Sequence, residues 1–220
     1  DLTGYWSTIY TNGNTPSTAV DFNDGYNTLD LSNLGNLKER SAYRSTILIH
    51  DHMKALMPNF TDLDWSLPTN IDIAGECNAF YDGQSINFYD VGGGCNATSL
   101  IADVVWHEYG HGISNRLMGG AQSSGCMQNL EQQGEGFSDW FGLMLTMREG
   151  DSPSLARGVA TYSSGQDISG NGLRNAPYSP DFSVNDYTYA DSNNTATVSQ
   201  PHGVGFVFAT MLWDLTWAFV

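Results

Sequence analysis

The sequence predicts an α+β fold in two lobes: a mixed strand and helix lobe over residues 1–112, a mainly helical lobe over residues 113–220, and a cleft between them. Three observations carry this expectation. Strand-like runs are concentrated between Ile71 and Tyr89, apolar residues recur at helical spacing near Leu100 and again after Leu130, and the last residues form an apolar helix with Trp213 and Trp217 one turn apart. A chain of 220 residues with 40% hydrophobic residues can bury a substantial core as a single unit.

Residues 1–40 are rich in Thr, Asn, Gly and Asp and keep no sustained period, so loops and short strands are expected there. Asp21-Phe22-Asn23-Asp24-Gly25 is oxygen-rich and ends in glycine like a calcium loop, but the same residues make an ordinary turn. The turn is the preferred reading, with Ca2+ left as a second ion the composition admits. Ala42 to Met57 reads as a helix; the i, i+2 spacing of His50 and His52 splays their rings apart, so this pair is structural. Strands follow from Ile71 to Tyr89, with Gln84–Tyr89 alternating toward the Gly92-Gly93-Gly94 turn. Cys77 and Cys95 flank that unit, and a disulfide between them would staple it and imply an oxidising compartment; Cys126 is left over from the pairing. Asn59, Asn96 and Asn193 begin Asn-x-Ser/Thr triplets.

His107-Glu108-Tyr109-Gly110-His111 is the most informative stretch. Two histidines four apart on a helix point the same way and can hold one metal ion, which places Glu108 to act on a water. Leu100, Val104 and His107 fall at i, i+4 and i+7 and His111 continues the row; Asn96 to Ser99 offer N-caps and Gly119-Gly120 ends the run. Tyr109 lies two positions from each histidine and should point away from the metal. Catalytic zinc typically takes three protein ligands. Leu130 to Met147 reads as a second helix, whose Glu135 and Asp139 are four apart and can both face the first. Glu135 is the expected third ligand; Asp139 is expected to accept the N–H of His107 and set its tautomer.

The run HEYGHGISNRL followed by GEGFSDW resembles the fungalysin metallopeptidases, relatives of thermolysin, over roughly Ala42 to Val220. The resemblance implies a thermolysin-like, secreted zinc endopeptidase made with an inhibitory pro-region. Cys77–Tyr81 is similar to the edge strand on which such enzymes lay an extended peptide, implying substrate contacts from Asn78, Ala79 and Tyr81. Gly172-Leu173-Arg174 and Pro201-His202-Gly203 match the segments carrying the family's arginine and second-sphere histidine. His202 would then steady the oxyanion, while Arg174 would brace the substrate carbonyl or orient neighbouring carboxylates. Val104 and Leu173 would line an apolar pocket after the cleaved bond. Thermolysin carries a tyrosine between its second histidine and its glutamate ligand, whereas Gly112 to Gly134 contains none; Tyr162, Tyr178 and Tyr189 are substitutes to test.

The formal net charge of −16 argues against a nucleic-acid partner or an anionic membrane surface, and no run suggests membrane insertion. Peptide or protein substrates and a monomer are expected. The competing readings are a zinc aminopeptidase or amidase on the same ligands, and an inactive scaffold with structural zinc. Intact Glu108 opposes the scaffold, since a structural site needs no base. Gly150 to Gln200 is too long for a plain connector and is expected to wrap the active site. Met211–Val220 stops within an apolar helix without a cap, so the natural protein is expected to continue.

Overall fold

A computed structural model describes residues 1–28, 30, 32–120 and 125–220. Four strands form one sheet in the order β1-β2-β4-β3: β1 Ser7–Thr11, β2 Leu67–Ile73, β3 Ala79–Tyr81 and β4 Ile86–Tyr89. β1 and β4 run parallel to β2, and β3 closes the sheet antiparallel to β4, so Cys77–Tyr81 does lead into an edge strand. The alternation expected for Gln84–Tyr89 is not what β4 shows. Ile86, Asn87 and Phe88 are all buried, because an interior strand is covered on both faces. β2 begins at Leu67, before the Ile71 start expected from the sequence.

The helices are α1 Leu37–Leu56, α2 Ala102–Leu117, α3 Gln133–Thr146 and α4 His202–Phe219. α1 starts five residues before Ala42, because Asn36 caps it: its side chain accepts from the Glu39 amide while Glu39 Oε2 accepts from the Asn36 amide. α2 is not capped by Asn96 to Ser99. A 3-10 turn at Thr98–Leu100 intervenes, and α2 begins after Ile101 without a side-chain cap. Its end is as expected, at Gly119, whose φ of +86° stops the helix. α3 begins at Gln133 rather than Leu130. His50 is fully buried against Trp6, with ring centroids 4.1 Å apart, while His52 is exposed, so the two rings do part company.

The core runs from Ile9, Ile71 and Phe88 of the sheet through Ile49 of α1 and Val105 and Ile113 of α2 to Phe206 and Trp213 of α4. α2 lies at its centre, with His107, Glu108 and Tyr109 all buried. Two glycines let its neighbours approach closely. A Cβ on Gly110 would stand 3.0 Å from the Ser138 Cα of α3, and one on Gly205 of α4 would overlap the Glu135 Cβ. Between α3 and α4 the chain runs irregularly, returning to the helices at Ala160, Arg174 and Tyr178. Among the described residues no helix is long and apolar enough to cross a membrane. Asp24-Gly25 forms a bend braced by Asn27, whose side chain accepts from the Asn23 amide and donates to the Asn23 and Gly25 carbonyls. Cys77 and Cys95 are joined by a disulfide with Cα atoms 5.3 Å apart, and Cys126 lies exposed in the turn Gly125–Gln128.

Candidate metal centre

Two turns of α2, the first turn of α3 and the start of α4 build the site. His107 and His111 project from one face of α2, their ring centroids 4.9 Å apart, and Glu135 meets both from the first turn of α3. Glu135 Oε2 stands 3.3 Å from His107 Nε2 and 3.8 Å from His111 Nε2. His202, at the start of α4, places its Nε2 3.6 Å from the same oxygen. Ligand atoms of His107, Glu108 and His111 also lie within 4.8 Å of one another, making Glu108 the second carboxylate at the centre. We place Glu135 rather than Glu108 opposite the histidines, because Glu135 Oε2 faces both Nε2 atoms directly. That oxygen is buried and accepts no hydrogen bond, among three imidazole nitrogens. Such a nitrogen and oxygen set fits a divalent ion of the zinc type.

Electrostatics agree with this geometry. His107 Nδ1–H donates to Asp139 Oδ1 at 2.7 Å while Nε2 faces Glu135. Burial opposes its charge, yet these two carboxylates raise its pKa to about 10. Burial and the His107 charge lower His111 to about 4, leaving its ring neutral and able to ligate. Burial opposes ionisation of Glu135 too, but His107, His111 and His202 hold it at about 2. Glu108 is different. Burial pushes its carboxyl up to about 7, near where a general base operates. His202 is lowered, chiefly by burial.

Asp139 is buried and saturated with donors. Arg174 grips it bidentately, Nε to Oδ2 at 2.6 Å and Nη2 to Oδ1 at 2.7 Å, and the Tyr178 hydroxyl donates to Oδ2 at 2.5 Å. Although burial works the other way, Arg174 and His107 keep its carboxyl well below the usual range. Of the roles considered for Arg174, orienting a carboxylate is the one with bonds in place among the described residues; its Nη1 reaches the Leu173 carbonyl at 3.4 Å.

The donors open onto a cleft of about 300 Å³ lined by Asn78, Ala79, Tyr81, Glu108, His111 and Glu135, among others. A smaller hollow of about 40 Å³ adjoins it, bounded by Val104, Val159, Ala160, Leu173, Arg174 and His202. Asn78, Ala79, His107, Glu108 and His202 border both. Val104 and Leu173, which the resemblance puts in one pocket, both line this hollow. Sequence reasoning missed Val159 and Ala160. They are pinned there by Asp103 Oδ2, which accepts from the Ala160 amide at 2.7 Å, a link with no local sequence signal. A more voluminous apolar groove, about 440 Å³, lies among α1, α2 and α3, but the donors do not converge on it. None of the three tyrosines considered borders the cleft. Tyr178 is turned into Asp139, the Tyr189 hydroxyl reaches Glu131 at 3.4 Å, and Tyr162 is half exposed beside Asn96. Tyr81 does border it, stacked on His111 at 6.4 Å and accepting from Arg116 Nη1 at 2.8 Å.

A mixed α/β framework that packs a His-Glu-x-x-His helix against a carboxylate-bearing helix defines a metallopeptidase. Residues 82–220 match the fungalysin metallopeptidase (M36) model. The chain belongs to that family. It is 41% identical over 127 residues to the extracellular metalloproteinase MEP of Pyricularia oryzae, covering 56% of this chain and 19% of that protein. Extracellular metalloproteinase 2 of Arthroderma gypseum is 38% identical over 120 residues, 54% of this chain and 18% of that protein. The matched stretch is therefore under a fifth of these relatives' length. The solved precursor of protealysin, a metalloproteinase from Serratia proteamaculans, is 21% identical with a TM-score of 0.47, covering 76% of this chain and 52% of that one.

Proposed function

We propose that this chain carries the catalytic centre of a secreted zinc endopeptidase, with His107, His111 and Glu135 as ligands. The observation that supports it most is the buried Glu135 Oε2, which no hydrogen bond satisfies and which faces three imidazole nitrogens. Zinc bound there would polarise a peptide carbonyl and acidify a water. Glu108 would take the water proton and hand it to the leaving amine. His202, half exposed where both hollows meet, would donate to the oxyanion. Asp139, braced by Arg174, would hold His107 in the tautomer that leaves Nε2 for the ion.

Substrate would lie along β3. Ala79 sits opposite Phe88 in a non-hydrogen-bonded pair, which turns its amide and carbonyl to the open edge, while the Asn78 carbonyl is held by Tyr89 and Thr98. The Asn78 and Tyr81 side chains would contact the peptide from the cleft wall. The hollow at Val104 and Leu173 would accept an apolar residue after the scissile bond. The cleft would divide residues 1–112 from 113–220 as two lobes. Secretion fits both the disulfide and relatives named as extracellular. A pro-region that blocks the cleft before release also belongs to this reading.

The test compares the purified chain with its Glu108→Gln variant, each assayed for bound zinc, on an end-blocked fluorogenic peptide with and without chelator. Chelator-sensitive cleavage that falls by roughly 10²- to 10⁴-fold in the variant at full zinc occupancy is expected. Equal cleavage by the variant would remove Glu108 as the base. A chain that takes up no zinc would end the reading.

A further inference from the structure

Asp139 has four places for donors and all four are filled, but only three come from groups the proposed chemistry uses: His107 Nδ1, Arg174 Nε and Arg174 Nη2. The fourth comes from Tyr178, whose hydroxyl is 2.5 Å from Oδ2. Its ring is completely buried, 5.1 Å from Phe206, one turn beyond His202 on α4. Its backbone is also tied down, since its amide donates to the Arg157 carbonyl and its carbonyl accepts from the Arg157 amide. A phenol this constrained on every side offers a fixed donor direction rather than an adaptable one.

Fixed direction matters because the two Asp139 oxygens have different duties. Oδ1 faces His107 and shares only Arg174 Nη2, while Oδ2 receives Arg174 Nε and Tyr178. The Arg174 fork holds the carboxylate in its own plane, but Arg174 comes from an irregular segment and follows the half-exposed Leu173. A second donor on Oδ2, from a completely buried ring, stops the carboxylate turning about its Cβ–Cγ bond and swinging Oδ1 away from His107. We infer that Tyr178 is a positioning residue for the metal centre, acting through Asp139 to fix the ring orientation of His107. It thus couples the ligand helices to the 157–178 segment and to the helix carrying His202.

This inference rests on the zinc reading. Its test uses the whole chain, Tyr178→Phe, and a variant carrying 3-fluorotyrosine at 178, which keeps the ring and changes the strength of the donor. Zinc affinity is measured by chelator competition and the ligand field by the visible spectrum of the Co2+-loaded protein. Partners that orient a ligand typically change affinity by about 10- to 100-fold; one bond further out, a loss of about 3- to 10-fold is expected for Tyr178→Phe, with a shifted Co2+ spectrum and a graded response from the fluorotyrosine. A Tyr178→Phe protein with wild-type zinc affinity and spectrum overturns the inference and leaves the zinc reading intact. So does an unchanged fluorotyrosine spectrum, should the phenylalanine variant not fold. Wild-type chain that binds neither metal overturns both.

Discussion

His107 is gripped from two sides, with Asp139 on Nδ1 and Glu135 facing Nε2, and Asp139 is itself held by Arg174 and Tyr178. Arg174→Lys keeps the charge but loses the planar fork that engages both Asp139 oxygens. Zinc affinity is expected to fall about 10-fold, read by chelator competition, with little change in the unfolding midpoint of the metal-free chain. Unchanged affinity would show that a single ammonium contact suffices. The hollow beside Val104 measures only about 40 Å³, so Val104→Ala should widen the range of side chains accepted after the scissile bond. Sequencing of product N-termini from a peptide library checks this, and an unaltered preference would remove Val104 from the specificity pocket. His107 and His111 are readable from their spacing together with the apolar row before them, because helix geometry places positions four apart on one face, and Glu108 follows from lying between them. Tyr178 was considered for the oxyanion instead, since nothing local reveals which buried carboxylate a tyrosine will find.

Helix ends and helix crossings decide whether those residues meet. α1 owes its early start to the Asn36–Glu39 capping box, which a search for hydrophobic periodicity passes over because capping residues lie outside the periodic run. Asn36→Ala should lower stability by about 1 kcal/mol in urea unfolding; no change would mean that packing alone holds the first turn. The crossing of α3 and α4 is more consequential. Gly205 is the position where any Cβ would strike Glu135, so Gly205→Ala must push the two helices apart or displace the carboxylate. Overpacking of this kind costs about 1–3 kcal/mol. The variant should therefore unfold earlier and bind zinc more weakly, whereas wild-type metal affinity would show that the crossing has slack. The strand reading erred at β4 for a similar reason. Alternation marks a sheet with one wet face, and Ile86–Phe88 is covered on both.

Over the whole molecule, distant segments are tied together by covalent and ionic links. The disulfide spans a sequence separation of 18 residues and encloses the edge strand β3 and its neighbour β4. Replacing both cysteines by serine should cost about 3 kcal/mol by loop entropy, seen as a lower denaturant midpoint, and a smaller loss would imply residual order in the unfolded loop. Lys38 of α1 meets Asp72 at 2.5 Å and Asp90 at 2.9 Å, joining the helix to the ends of β2 and β4. Its hydrogen bond, with the Val91 amide, holds Asp90 below its ordinary pKa. The contribution of Asp90 to stability is therefore fully present above the unfolded value of about 3.9 and is lost as pH falls through the lower folded value. Asp90→Asn should flatten the acid limb of the stability curve in that window, and an unaltered limb would remove this pair from the acid response. By itself the sequence determined the α+β class, the His107–His111 helix, the Glu135 and Asp139 pair and the disulfide, because each is written in spacings of a few residues or in residue types with few alternatives, while the edge strand was legible only through the family resemblance. Only the tertiary structure decided that Arg174 and Tyr178, 35 and 39 residues from Asp139, share its carboxylate, that Asp103 draws Ala160 into the hollow, and that a glycine on α4 makes room for Glu135. Those meetings depend on which buried faces pack together, a choice made by the burial of the whole chain and not by any local period.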